Sequence, residues 1–326
     1  MIKRSLAAPV AAHLAGLAAT AAILAAAGPA AAQETPVAIG ISGWTGFAPL
    51  TLAKEAGLFK KLGLDVSLKK IPQKDRHLAM ASGDIQCAAT TVETWVVWNA
   101  NGVAATQIFQ LDKSYGADGM VVKPSVAKIA DLKGKTVAAS APGTAPYFTL
   151  AWMLKKNGLS VKDVKVVNLE PQAAASAFNA GTEIDAAMTY EPYLSSVREN
   201  KTAGRIIATT LDYPMVMDTF GCTPKFIKEN GKLVQAMVNS YFEALEMIKK
   251  EPAKSNEIMG SVVKQTGDAF AKSSAFLRWQ DKEANKKFFA GEIQTFSKEA
   301  ADLLLEMGII KTIPNLNSLV DTSFIK

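Results

Sequence analysis

Four carboxylates, Glu93, Glu191, Asp212 and Asp218, fall in or beside segments that follow predicted strands, and no Lys or Arg lies within those segments. The segments are Ser42–Phe47, Thr90–Trp95, Ser140–Tyr147, Thr189–Tyr193 and Asp212–Asp218. Acids placed so, without cations, suit a ligand carrying an amino, amide, amidine or guanidinium group, with Glu93 and Asp218 as its acceptors. Nitrate or a simple sulfonate would want a positive partner, and the nearest candidate is Arg76. Ser140, Gly143 and Thr144 precede a predicted helix, whose free backbone N–H groups favour a carboxylate or sulfonate. Ordinary N-capping by Ser140 or Thr144 is the simpler alternative. Trp44, Trp95, Tyr147, Tyr190 and Tyr213 offer either stacking faces or a packed apolar wall. Trp44, between Gly43 and Gly46, is the leading stacking candidate. The expected ligand contacts are Ser42, Trp44, Thr45, Thr91, Glu93, Ser140, Gly143, Thr144, Tyr147, Tyr190, Glu191 and Asp218. No catalytic residue, metal ligand or cofactor is expected.

Enzymatic chemistry finds little to work with. The two histidines are His13 and His77, and no G-x-S-x-G, H-E-x-x-H or paired-Cys zinc pattern occurs. Gly134-Lys135-Thr136 ends like a P-loop, but Ile129 stands where the first glycine belongs. His77 reads as a solvated helix start. Cys87 and Cys222 are isolated in sequence, too few for a disulfide-stapled scaffold, and Cys87 in a strand reads as a small buried hydrophobe.

The positioning elements begin after an address. Lys3 and Arg4, an apolar stretch from about Leu14 to Ala27, and Ala30–Ala32 have the three-part layout of a secretory signal peptide, with cleavage expected after Ala32. No Cys near the cut offers a lipid anchor, so a soluble periplasmic protein is expected. The 326-residue chain carries a formal net charge of +6, which becomes +4 once Lys3 and Arg4 leave. That excess is scattered rather than striped, which argues against nucleic-acid binding.

Two βαβ units follow. Val37–Ser42 reads as a strand, followed by a Gly/Pro turn, a helix through Leu50 and Phe59, a stop at Gly63, and a strand at Leu64–Leu68. The same order recurs in Thr136–Ser140, the Ala141–Pro146 turn, a helix through Phe148 and Leu154, Gly158, and Val164–Leu169. Aligning Ile85 with Ile184 extends the match to a third strand in each copy. From about Thr219 the chain is helical. Leu233, Met237, Tyr241, Ala244, Leu245 and Ile248 mark one face, and further helices are expected at Pro252–Gln265, Glu283–Phe296 and Lys298–Glu306. Strands near Gly119–Val122 and Ile206–Asp212 are expected to join the halves as a hinge. The expected organisation is a signal peptide at 1–32, lobe 1 at 33–118 plus 212–326, and lobe 2 at 119–211. A solute cleft would lie between the lobes, outside the strand C-termini.

Several stretches together resemble the periplasmic solute-binding proteins of ABC importers in the nitrate/sulfonate/taurine group, which also contains thiamine-precursor binders. They are Gly43–Pro49, Ala56-Gly57-Leu58-Phe59 with Gly63–Val66, Ala81–Ile85, Asp131–Val137, Asn168-Leu169, Asp185–Met188 and Glu191-Pro192. The resemblance implies an α/β, two-lobed type II binding-protein fold that closes over one small solute. It also implies partnership with a membrane permease and ATPase, as a monomer. Glu191 matches a position where that family often carries an acid, which leaves a turn-holding role open beside a ligand role. A small polar, nitrogen-bearing or zwitterionic solute is expected. Taurine, alkanesulfonate or nitrate binding by the same fold is the alternative, followed by a pyrimidine-precursor binder or synthase. The synthase branch carries a Cys-rich motif and a reactive His that are absent here. A sensory or chaperone-like periplasmic role is a third possibility.

Overall fold

The computed structural model describes residues Thr35–Lys326, so the expected signal peptide lies outside the described residues. The first run is β1 (Thr35–Ile41), α1 (Ala48–Glu55), α2 (Leu58–Lys61), β2 (Leu64–Lys70), α3 (Gln73–Ser82), β3 (Cys87–Thr91), α4 (Val92–Ala100) and β4 (Thr106–Ser114). The second is β5 (Asp118–Val122), β6 (Thr136–Ala139), α5 (Ala145–Lys156), β7 (Lys165–Asn168), α6 (Pro171–Asn179), β8 (Ala186–Tyr190), α7 (Tyr193–Glu199) and β9 (Arg205–Thr209). The chain then returns through β10 (Met217–Cys222), α8 (Pro224–Glu229), α9 (Gly231–Lys250), α10 (Pro252–Val262) and α11 (Gly267–Ser274). It ends with β11 (Leu277–Trp279), α12 (Lys282–Lys287) and α13 (Ile293–Glu306).

These strands make two mixed sheets, one per lobe: β11-β4-β10-β3-β1-β2 and β7-β6-β8-β5-β9. The internal repeat holds down to the register. β1 meets β3 at Ile39–Cys87, β6 meets β8 at Val137–Ala186, and the aligned Cys87 and Ala186 fill equivalent places. Each parallel trio is flanked by an antiparallel strand, β10 beside β3 and β5 beside β8. Apolar side chains fill both faces of these strands, as expected for sheets covered by helices.

The chain crosses between sheets at Tyr115–Ala117 and again at Thr210–Val216. Hydroxyl groups stitch the crossings together: Ser114 Oγ lies 2.6 Å from Thr210 Oγ1, which accepts the Gly116 N–H at 2.8 Å. The strands expected near 119–122 and 206–212 are β5 and β9, paired antiparallel in the second sheet.

The C-terminal helices depart from expectation in their breaks. The 252–265 segment stops at Val262, and α11 follows. The interruption expected near Ser297 falls instead at Gly291, so α13 runs unbroken through that serine. Along α9, Met237, Tyr241, Ala244 and Leu245 are buried as the periodicity predicts, and Tyr241 donates its hydroxyl to the Leu111 carbonyl.

Cys87 is no simple hydrophobe: it forms a disulfide with Cys222 across the β3–β10 pair. The sequence separation of 135 residues hid a partner that strand pairing places directly opposite. An oxidised pair accords with export to an oxidising compartment.

Candidate functional site

The register between strands assembles the site. In the first sheet Thr91, Asp218 and Asp112 sit abreast on β3, β10 and β4. In the second, Asp118 on β5 sits opposite Tyr190 at the end of β8. Between the sheets lies a small cavity of about 20 Å³, lined by Ser42, Trp44, Phe47, Gln73, Arg76, Thr90, Thr91, Asp118, Ala145, Tyr190, Val216 and Asp218. It holds one or two waters at most, as a cleft closed on itself would. A larger groove of about 320 Å³ adjoins it, sharing Ser42 and Tyr190 and adding Lys70, Glu170, Tyr193 and Lys264.

Charge in the inner cavity is acidic. Glu93, Asp112, Asp118 and Asp218 are each at most 5% exposed. Burial pushes the Asp118 carboxyl up to about 7, with Glu191 adding to the effect against a Ser114 hydrogen bond. Burial likewise raises Glu93 to about 8, opposed by its Thr91 hydrogen bond. Asp218 is raised by burial and by Asp112, Asp118 and Glu93 together. Asp112 is raised by burial despite accepting the Trp44 indole N–H at 3.2 Å. The opposing cation is Arg76, 1% exposed, whose Nε and Nη2 donate to the Ile71 carbonyl and whose Nη1 donates to that of Ala89. Burial lowers Arg76 to about 10, which leaves it charged.

Two glycines make room for this arrangement. A Cβ on Gly46 would lie 2.1 Å from Trp44 Nε1 and 2.2 Å from Asp112 Oδ2, so only glycine lets that pair close. A Cβ on Gly40 would meet the Arg76 stem at 2.9 Å.

Polar side chains also link the sheets. Gln73 Nε2 donates to Thr90 Oγ1 at 2.8 Å and Thr94 Oγ1 at 2.9 Å, while its Oε1 accepts the Ala145 N–H at 3.1 Å. The amide that would receive an anion at the start of α5 thus has a partner from α3.

Of the expected contacts, Ser42, Trp44, Thr91, Tyr190 and Asp218 line the cavity, and Glu93 stands behind Thr91, bonded to its hydroxyl. Trp44 lies in a buried turn, edge-on to Tyr190 at 5.3 Å. The others lie elsewhere. Glu191 accepts from Ser195 N at 3.1 Å and Arg198 at 3.4 Å, fixing the turn into α7. Thr144 donates to the Ala141 carbonyl, Gly143 packs beneath Val97, and Tyr147 is on α5. Ser140 and Thr45 are buried with unpartnered hydroxyls, outside both cavities. Sequence reasoning missed Asp112, Asp118 and Gln73. For Asp118 the available signal was an acid at the head of an otherwise apolar strand.

The raised carboxyls set a pH dependence. Asp118 moves from 3.8 to about 7, so the folded protein keeps a proton that the unfolded chain has lost. That contribution to stability is full below pH 4 and is lost as pH rises through about 7. The ligand-free melting midpoint is expected to fall between pH 5 and pH 8.5, on the order of 5 °C through this group. Melts of Asp118→Asn should show a shallower decline; an unchanged slope would refute the assignment.

Comparison with known proteins adds four relations. Residues 30–263 match the model of the NMT1-like family. The chain is 25% identical over 278 residues to the taurine-binding periplasmic protein of Escherichia coli K12, covering 81% of this chain and 83% of that one. In fold it is similar to the alkanesulfonate-binding protein SsuA from Xanthomonas axonopodis pv. citri bound to MOPS (TM-score 0.77, 20% identity, 90% of this chain and 100% of that chain). It is also similar to the periplasmic nitrate-binding protein NrtA from Synechocystis PCC 6803 (TM-score 0.73, 17% identity, 90% and 87%).

Proposed function

The chain belongs to the NMT1-like family, and from that premise we propose that it is the substrate-binding component of an ABC importer. In this reading it captures a small polar, nitrogen-bearing or zwitterionic organic solute in the periplasm and passes it to a membrane permease driven by an ATPase. The supporting observation is the small cavity between two sheets, to which both contribute polar and aromatic side chains. The named relatives bind taurine, alkanesulfonates and nitrate, which is consistent with solute capture.

Binding without chemistry fits the groups present. His77, on α3, packs near Trp98 of α4 and does not line the cavity. Expected site residues that line the cavity or adjoin it, Trp44, Thr91, Glu93, Tyr190 and Asp218, are taken as its recognition set. A wholly anionic solute is the weaker reading, because the Arg76 donors are engaged by the Ile71 and Ala89 carbonyls. Taurine, with both an ammonium and a sulfonate, falls within the favoured class.

A thermal-shift panel of amines, amino acids, taurine, alkanesulfonates and nitrate tests the reading. Nitrogen-bearing solutes should raise the midpoint by several degrees, and Glu93→Gln should weaken the effect. Stabilisation by nitrate or simple alkanesulfonates alone, with Glu93→Gln indifferent, would overturn the solute class.

A further inference from the structure

The receptor reading leaves open which chemical group the inner cavity grips, and any assignment of that group rests on the same reading. Asp118 reaches the cavity from the second sheet and Asp218 from the first. Asp118 Oδ2 is buried without a hydrogen-bond partner, as is Oε2 of Glu93 behind Thr91. An unpaired buried carboxylate oxygen is costly, so a donor supplied from outside is strongly favoured there. Among the described residues, no group of three His, Cys, Asp or Glu side chains could hold a metal ion, which points to an organic donor. The walls suit one: Trp44 and Tyr190 line the same cavity, and aromatic ring faces accept compact cations. The adjoining groove adds two cations, Lys70 and Lys264, beside Glu170.

We propose that the inner cavity, with room for one or two water-sized groups, seats the ammonium head of a compact organic cation between Asp118 and Asp218. Any anionic tail points outward to the groove bearing Lys70 and Lys264. Because one carboxylate belongs to each sheet, the cation also bridges the lobes, beside the Gln73 link. Without it the two acids repel across the interface once both are ionised; with it each gains a charge-assisted hydrogen bond.

Charged and titratable groups around this pair come from every packed element. Glu93 is on α4, Asp112 on β4, Glu191 and Tyr190 at the end of β8, Arg76 on α3 and Tyr241 on α9. Asp118 must be ionised to bind a cation, so affinity falls with falling pH. With its carboxyl near 7, the loss is about tenfold from pH 8 to pH 6.

Calorimetric titration of the mature protein separates the possibilities, using methylammonium and ethylammonium as cation probes, taurine as zwitterion, and ethanesulfonate and nitrate as anions. Cation and zwitterion probes should bind, and affinity should drop at least about 100-fold in Asp118→Asn and in Asp218→Asn. Ligand-free melts of both variants establish that each is folded. Binding of ethanesulfonate or nitrate, untouched by either substitution, would overturn the cation seat while leaving the receptor reading intact. Binding of no probe in either arm would overturn both.

Discussion

Joint replacement of Cys87 and Cys222 by alanine is expected to lower the melting midpoint by on the order of 10–15 °C. The bond closes a loop of 135 residues, and loop-closure entropy alone assigns it about 5 kcal/mol. For a chain of this size each kcal/mol moves the midpoint by roughly 2–4 °C. A second effect reaches the site. The disulfide joins the ends of β3 and β10 opposite to those that carry Thr91 and Asp218, and the register runs uninterrupted between the two places. Loosening that pairing should therefore weaken solute binding as well as stability. Thermal melts and solute titrations of the double variant check both effects, and a midpoint within 2 °C of the parent would contradict the argument. Adding reductant to the folded protein is a poorer test, because both sulfurs are fully buried.

Arg76→Met has the next largest expected effect, about 3–5 kcal/mol, or roughly 10 °C. The substitution strands the Ile71 and Ala89 carbonyls and removes the buried cation that opposes the acids around Asp218. The sign with pH follows from those acids. At low pH they are protonated and scarcely need the guanidinium. As pH rises and Asp218, the acid that Arg76 opposes, ionises, the missing guanidinium costs more. Melts at pH 6 and pH 8.5 should show the larger deficit at pH 8.5, and a deficit independent of pH would mean that Arg76 acts through packing alone. Arg76→Lys should rescue only part, since a single ammonium does not reproduce a fork reaching two carbonyls.

The sequence carried the repeat well because βαβ units announce themselves locally, through turn residues and alternation. Ile39–Cys87 and Val137–Ala186 then occupy equivalent places. The post-strand segments likewise delivered Ser42, Trp44, Thr91 and Tyr190 to the cavity. Asp112 and Asp118 escaped because they reside in strands, not in the loops where ligands were sought. Their neighbours, Asp218 and Tyr190, come from strands 106 and 72 residues away in the chain. The disulfide escaped for the same reason. Thr144 and Glu191 were plausible by type, yet each side chain is satisfied by nearby backbone, a competition that spacing alone does not reveal.

The stitched crossings carry a mechanical consequence. Asp118 is the first residue after one crossing and Asp218 the second residue of the strand after the other. Both would therefore ride close to an axis passing through the crossings, with short lever arms. A rotation about it that opens the outer rim widely would part the two acids only slightly, so that, once ionised, they would repel through the whole stroke rather than only at its start. Lys264 and Glu170, out on the groove, would travel much farther for the same angle. The inner pair would work as a spring at the pivot, and the rim as the gate that it moves.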